Sequence, residues 1–541
     1  MGRKKANPTD NFAVIDCETD PFQVGTIDIK PFVWGFYNGE IYHHFTRTSE
    51  LVKFLRGYTG KVFAHNGGKF DFHFLLDYAD RGQQIVVING RLSRFKIGKA
   101  TLEDSYNLLP VGLARFSKME FDYSKLHKSV RQDHFPEILE YLQSDCVNLY
   151  DVLARFFTDY GYNLTLAGAA MRQWMEISGQ KKPKSSIEFD EKFRPYYFGG
   201  RCECFAEGVL CGDFKMYDIK SAYPFAMMHQ HPITMRHQCT INPAPHEIER
   251  SFVHLKCFSG GAFPLRNEKT GEITYPINYG EFKVSGWEYK AALELGLIED
   301  VELINCLVFL DTTDFSEYVN YFFALKDGCE NAGDKAGREI AKLFLNSLYG
   351  RMALDPRKYN EYLIHDGIIE TATMDDLIND DYAPGEMIGD TRIWQRPSVK
   401  PQNFLNVACA ASITGFVRAY LLRSLKAVEN PYYCDTDSII CDSPGDLQIG
   451  LKLGDWGLDA TGTKLTLAGK KMYCLSGGQV KGKSGHKLAS KGARLKPAEI
   501  DKLAKGGKVD YTNPAPCFSI KRGCVQISRQ IKKTVKVEKS V

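Results

Sequence analysis

The sequence predicts a mixed α and β protein built as two large modules, the second of them subdivided. The first observation is length: 541 residues exceed what one hydrophobic core usually supports. The second is a set of apolar, strand-like runs that end in carboxylates, at Phe12–Thr19, Met216–Pro224 and Tyr432–Ile440. The third is a pair of helical patterns between them, Pro136–Phe157 and Lys342–Gly350. With 44% hydrophobic and 25% charged residues, the composition is that of an ordinary globular protein.

No apolar run approaches the roughly 20 residues of a membrane span, and Met1–Asp10 is polar and basic, unlike a signal peptide. No membrane partner and a cytoplasmic location are therefore expected. Fifteen cysteines without a Cys-x-x-Cys pair point to reduced thiols, and neither to a disulfide framework nor to zinc. The net charge of +3 is unevenly spread: Thr461–Val541 holds 19 Lys/Arg against 4 Asp/Glu. A basic end of this kind suits a phosphate backbone, because each neutralised phosphate releases counterions.

In a strand, residues two apart share a face, so Asp16 and Glu18 in Phe12-Ala-Val-Ile-Asp-Cys-Glu-Thr19 point the same way. Two adjacent carboxylates repel unless a cation lies between them, which favours a hard metal with oxygen ligands. Val62–Phe74 reads as a strand, a Gly-containing turn and an aromatic continuation carrying Asp71. On the helix from Pro136 to Phe157, Tyr141 and Asp145 lie four apart on one face. A phenol there could orient an attacking water, while Asp16, Glu18, Asp71 and Asp145 hold two divalent ions across a phosphodiester.

In the second module, Met216–Pro224 reads as a strand delivering Asp218 and turning into a short helix. Tyr432–Ile440 reads as a tight hairpin with Asp435 and Asp437 at its tip. Lys342, Asn346 and Tyr349 share one helical face, offering a cation, an amide and a flat ring. Gly477–Ser484 fits a nucleotide-binding P-loop formally, but the following Gly485–Gly492 is a poor helix start. It reads instead as a flexible basic loop near nucleic acid.

Asp-x-Glu, Asn-x3-Phe-Asp and Tyr-x3-Asp, in that order, resemble the three-part signature of DEDD-type 3′→5′ exonucleases. Asp218 in Met216–Pro224, Lys342–Gly350 and Tyr432-Tyr-Cys-Asp-Thr-Asp-Ser438 resemble motifs A, B and C of the family B DNA polymerases. Compactness and two insertions further resemble the protein-primed branch found in small linear phage and plasmid genomes. The resemblance implies an RNase H-like exonuclease domain over 1–180, followed by a right-hand polymerase over 181–541. Within the latter it implies a palm at about 190–260 and 403–475, fingers at about 313–351 and a thumb at about 476–541. The insertions, at about 261–312 and 352–402, show in the sequence only loops, the second rich in acidic residues and turns.

By the same resemblance, Asp218 and Asp437, with Asp435 in support, hold two Mg2+ ions for nucleotidyl transfer, with Mn2+ an alternative. Tyr223 lies against the sugar of the incoming nucleotide. Lys326, Arg338 and Lys342 meet the triphosphate, and Asn346 and Tyr349 meet the nascent pair. Thr19, His65, Asn66, Phe70, Ser105 and Tyr106 grip the single-stranded primer end, and Lys125 is a catalytic-site lysine. Tyr197, Gly199 and Gly200 touch template, and Lys471 and Tyr473 hold the primer terminus. The expected partners of the monomer are primer-template DNA, dNTPs and a terminal protein that supplies a priming hydroxyl. Competing readings are a family B polymerase using nucleic-acid primers or none, and an inactive DNA-binding descendant. Retention of every clustered, mutually repelling carboxylate argues against the latter.

Overall fold

In the computed structural model, which describes residues 11–20, 29–398, 405–493, 495–513 and 531–535, the run after Asn11 becomes β1 (Phe12–Thr19). It is buried along most of its length, because neighbouring strands flank it and a helix covers its face. Strands β2 (Pro31–Tyr37), β3 (Tyr42–Phe45), β4 (Gly60–Ala64), β5 (Gln83–Ile88), β6 (Arg91–Ile97) and β7 (Ala100–Asp104) complete the N-terminal part of this sheet. Strand β1 runs antiparallel to β2 and parallel to β4.

Helix α1 (Phe135–Tyr160) lies on β1 and β2. Ile138, Tyr141, Leu142, Asp145, Cys146 and Leu149 are buried at three- and four-residue intervals. Gly35 lets the helix come this close: a Cβ there would lie 2.9 Å from Cys146 Sγ.

The second module is centred on β9 (Gly208–Ile219), which follows the short β8 (Cys202–Cys204) and leads into helix α2 (Ala222–Met227). Four strands then form a sheet of their own: β10 (His237–Thr240), β11 (Ser251–Gly260), β12 (Ile277–Ser285) and β13 (Ile298–Phe309). Helix α3 (Gly286–Glu294) joins β12 to β13. The segment read from sequence as an insertion of loops at about 261–312 is thus half of a sheet that begins at His237, in the order β10-β13-β11-β12.

Helices α4 (Ser316–Asn331) and α5 (Lys335–Met352) pack as a pair. The helix expected to close at Gly350 continues to Met352. Phe344 of α5 stacks against Phe322 at 4.5 Å and approaches Tyr160 of α1 at 4.4 Å, so one apolar core spans both modules. Arg155 donates to both oxygens of Asp334 at the start of α5, at 2.8 and 2.5 Å.

The second expected insertion is also no loop. It forms β14 (Asn360–Asp366), a helix at Thr371–Asn379, β15 (Ala383–Ile388) and β16 (Thr391–Pro397). Strand β14 pairs with β5 in the register Tyr362↔Ile85 and Ile364↔Gln83. The result is a ten-stranded sheet, β15-β16-β14-β5-β6-β7-β4-β1-β2-β3. The pairing covers what would be an open edge at β5. Tyr362, Ile364 and Ile393 enter the N-terminal core, Arg81 pairs with Asp366 at 2.8 Å, and Asp77 accepts from the Asp390 amide and the Thr391 hydroxyl.

Helix α6 (Val407–Ala427) is buried nearly all round and leads to the hairpin β17 (Tyr433–Asp435) and β18 (Ser438–Cys441). Strands β19 (Trp456–Gly469), β20 (Met472–Val480) and β21 (Lys483–Ser490) complete a seven-stranded sheet, β21-β20-β19-β9-β18-β17-β8. The stretch read as a flexible loop at Gly477–Ser484 is the tip of the β20–β21 hairpin. A strand and not a helix follows it, so the rejection of a P-loop holds. Much of the expected thumb, residues 514–530 and 536–541, lies outside the described residues. No described helix is long and apolar enough to cross a membrane.

Candidate active sites: two carboxylate centres

The first centre forms where β1 meets α1. Asp16 and Glu18 project from β1, Asp71 opens the short turn Asp71–Phe74, and Asp145 sits one turn beyond Tyr141 on α1. Burial, then Asp71, Glu18 and Asp145, push the Asp16 carboxyl well above its ordinary range. Burial and Asp145 raise Glu18 to about 8, and burial raises Asp71 to about 7. Burial also raises Asp145. Asp71 Oδ1 and Asp145 Oδ1 are buried without a hydrogen-bond partner. The cluster is therefore a concentration of negative charge that the protein itself leaves largely uncompensated.

Lys118 is the cation the structure brings here, its Nζ 3.7 Å from Asp145 Oδ2. Sequence reading named Lys125 for this role. Lys125 instead pairs with Glu137 on the outer side of α1, leaving the centre to Lys118. Tyr141 stacks on Phe121 at 4.3 Å, and its hydroxyl lies 3.1 Å from that of Tyr123. Ala114 and the run Lys118–Tyr123 line an open cleft of about 690 Å3 beside it. Lys118 was missed because two lysines seven residues apart in a loop look alike until the chain path is known.

The residues expected to grip a primer end divide into two groups. Thr19 ends β1 half-buried, Phe70 packs edge-on against Phe74, and Asn66 takes the left-handed conformation at φ 65°. Arg91 donates to Asn66 Oδ1 at 2.6 Å and lies over the Tyr106 ring at 4.3 Å. His65 and Ser105, by contrast, face inward. The His65 ring spans Ser105 Oγ and the Val111 carbonyl, burial pushes its pKa down to about 4, and Ser105 is fully buried. Ser105 thus ties strand ends together from within, while His65 keeps a partly exposed edge.

The second centre lies on the seven-stranded sheet. Asp218 on β9 pairs across to Ser438, which sets it beside the β17–β18 turn that carries Asp437. Burial, Asp437 and Asp459 raise Asp218 to about 7; burial and Asp435 raise Asp437 to about 6. Asp435 takes an ion pair from Lys471 at 2.9 Å. The turn residue Thr436 adopts φ 61°, and its amide donates to the Arg201 carbonyl at 2.6 Å. A Cβ on Gly200 would fall 2.5 Å from Thr436 Oγ1, so the glycine lets the Tyr197–Arg201 segment lie against the hairpin.

Arg418, invisible to sequence reading, holds that segment from behind. It is buried, pairs with Glu288 through two bonds of 2.7 and 2.9 Å, and donates to the carbonyls of Phe198 and Gly199. Tyr197 offers its carbonyl to Arg266.

Tyr223 on α2 and Tyr349 on α5 stack at 4.3 Å and 9°. Lys342 and Asn346 stand exposed on α5. Arg338 is engaged by Glu330 and Glu339, and Lys326 by Asp327. Tyr473 is buried against Tyr433 at 4.9 Å, so it supports the hairpin from within and is no exposed primer contact. Among the described residues no three His, Cys, Asp or Glu side chains form a ready-made metal ligand set. What fits cations is the chemistry of the donors: buried, mutually repelling carboxylates, two with orphaned oxygens in the first centre.

Two centres of buried carboxylates thus lie in one chain, one on a sheet covered by a long helix and one on a sheet served by a helical pair. Residues 118–439 match the family model described as DNA polymerase type B, organellar and viral, and the chain belongs to that family.

It is a DNA-directed DNA polymerase of the PRD1 and phi29 type. It is 37% identical to the DNA-directed DNA polymerase of Enterobacteria phage PRD1, over 96% of this chain and 98% of that one. It is 23% identical to the DNA polymerase of Bacillus phage phi29, over 94% of this chain and 91% of that one. The fold matches phi29 DNA polymerase solved with primer-template DNA and incoming nucleotide substrates, at a TM-score of 0.75. The match covers 98% of this chain and 100% of that one at 17% identity.

Proposed function

We propose that this polymerase also carries a 3′→5′ proofreading exonuclease at the Asp16, Glu18, Asp71 and Asp145 centre, and that it starts synthesis from a hydroxyl of a separate terminal protein. The observation that carries the exonuclease is four carboxylates raised together by burial and mutual repulsion, beside a phenol and one lysine. Divalent cations, Mg2+ first, would be held by these four residues and, in the polymerase centre, by Asp218 and Asp437. When bound they supply charge neutralisation for attack at phosphorus and for the leaving oxygen.

The protein's own groups do the rest. Tyr141, fixed by Phe121 and Tyr123, orients a water through its hydroxyl, and Lys118 balances charge at Asp145. In the polymerase centre the Tyr223–Tyr349 stack floors the nucleotide pocket, where the ring of Tyr223 would crowd a 2′-hydroxyl. Lys342 offers its ammonium to the triphosphate, and primer-template DNA and dNTPs are the substrates.

The exonuclease reading is tested with a 5′-labelled single-stranded oligonucleotide in Mg2+. The protein should shorten it stepwise from the 3′ end, and Asp16→Ala should not; shortening that survives Asp16→Ala would refute the site. Priming is tested by mixing the polymerase with a candidate terminal protein and one labelled dNTP. Label should then migrate with the denatured protein and vanish with Asp437→Ala. Processive strand displacement belongs to the same proposal: the second insertion, tied to the N-terminal sheet by the pairing of β14 with β5, would help to enclose DNA.

A further inference from the structure

One charged group near the polymerase centre has no part in the scheme above. Along β19, Gly457 pairs with Asp218 and Leu458 with Tyr217, but the next residue to pair, with Met216, is Ala460. Asp459 is the extra residue of a β-bulge, a device that re-aims a side chain out of strand alternation and recurs beside active sites. Its side chain is only 10% exposed. It accepts from Lys487 Nζ at 2.6 Å and lies 3.8 Å from Lys481 Nζ, while its carbonyl accepts from the Lys481 amide at 2.9 Å.

Both lysines belong to the β20–β21 hairpin, one at its turn and one on its returning strand. Asp459 adds a like charge to Asp218, and both lysines oppose it. A carboxylate placed next to the Asp218 carboxylate is costly on its own. Its presence makes physical sense if what it delivers is the pair of cations it holds.

We propose that Asp459 is a positioning residue that fixes Lys487 and Lys481 of the hairpin at the mouth of the polymerase centre, where their ammonium groups meet backbone phosphates of the primer strand next to its 3′ end. The bulge sets the carboxylate, the carboxylate sets the lysines, and the lysines register the primer against Asp218 and Asp437. Lys481, 78% exposed, is the outer contact; Lys487, 34% exposed, is the inner one. The proposal rests on reading the Asp218 and Asp437 centre as the polymerase site.

The experiment measures primer-template binding and extension for Asp459→Asn, Lys487→Ala, Lys487→Arg and the double variant Asp459→Asn/Lys487→Ala in the full chain. Lys487→Ala should raise KM for primer-template about tenfold, leave KM for dNTP unchanged, and lower the slope of log affinity against log salt by about 1. Asp459→Asn should reproduce the KM defect, and the double variant should be no worse than either single change, because the two act as one unit. Lys487→Arg should restore most of the loss.

Shortening of a single-stranded oligonucleotide should stay within about twofold for all four, which separates positioning from general unfolding. Additive defects, an unchanged KM for primer-template, or a loss confined to kcat would overturn the proposal. If Asp437→Ala still extends the primer, the polymerase reading itself fails, whatever Asp459 does.

Discussion

Replacing Glu18 by glutamine should make the metal-free protein more stable at pH 8 while it destroys exonuclease activity. The Glu18 carboxyl rises from 4.5 to about 8 in the folded state, because burial and the Asp145 charge penalise its ionised form. At about 1.4 kcal/mol per pKa unit, the shift corresponds to on the order of 5 kcal/mol. For a group whose folded pKa is raised, the folded state binds more protons, so stability is full below pH 4.5 and is lost progressively up to about pH 8. Asp71, raised to about 7, adds in the same direction over a narrower window.

Glutamine removes the Glu18 charge, so its benefit should grow from nothing at pH 4 to its full size at pH 8. The assay is guanidinium unfolding in EDTA across this range, followed through the N-terminal module, with the same series in Mg2+. Magnesium should stabilise the wild type most at high pH and Glu18→Gln much less. Greater stability of the wild type at pH 8 in EDTA would refute the reasoning, since Glu18 would then be compensated within the protein.

Three further outcomes follow from other contacts. Lys118→Ala should cut exonuclease turnover at least tenfold and leave polymerisation intact, whereas Lys125→Ala should stay within about twofold on both, as kinetics on single-stranded and primed substrates will show. Arg418→Met strands the buried Glu288 and frees the Phe198 and Gly199 carbonyls, and should cost about 3–5 kcal/mol by denaturation; adding Glu288→Leu should return most of it. A fragment of residues 1–180 should aggregate, because it bares the β5 edge and loses Tyr362, Ile364 and Ile393 from its core. Light scattering and circular dichroism would show this, and a soluble, cooperatively folding fragment would contradict the shared sheet.

Local patterns made part of the molecule legible. Apolar runs ending in Asp16, Glu18 and Asp218 are strands because alternation and acid placement are written within a few residues. Tyr141 and Asp145 share a helix face by spacing alone, and the Asp435–Asp437 hairpin is as short as it looks. What escaped depends on distant partners. Nothing in Asn360–Asp366 announces that it will pair with Gln83–Ile88, nearly 280 residues earlier. Arg418 reads as a surface arginine until Glu288 is found against it, and Asp459 as an ordinary strand acid until the register slips. Ser105 and Tyr473 are expected at DNA from the motifs around them; burial assigns both to the support beneath.

The central claim, two independent carboxylate centres in one polymerase, is tested most directly with a labelled primer-template in Mg2+, with and without dNTPs, for wild type, Asp437→Ala and Asp16→Ala. Extension with dNTPs and shortening without them should occur in the wild type. Asp437→Ala should lose only extension, and Asp16→Ala only shortening. Loss of both activities in either variant, or of neither, would contradict the account.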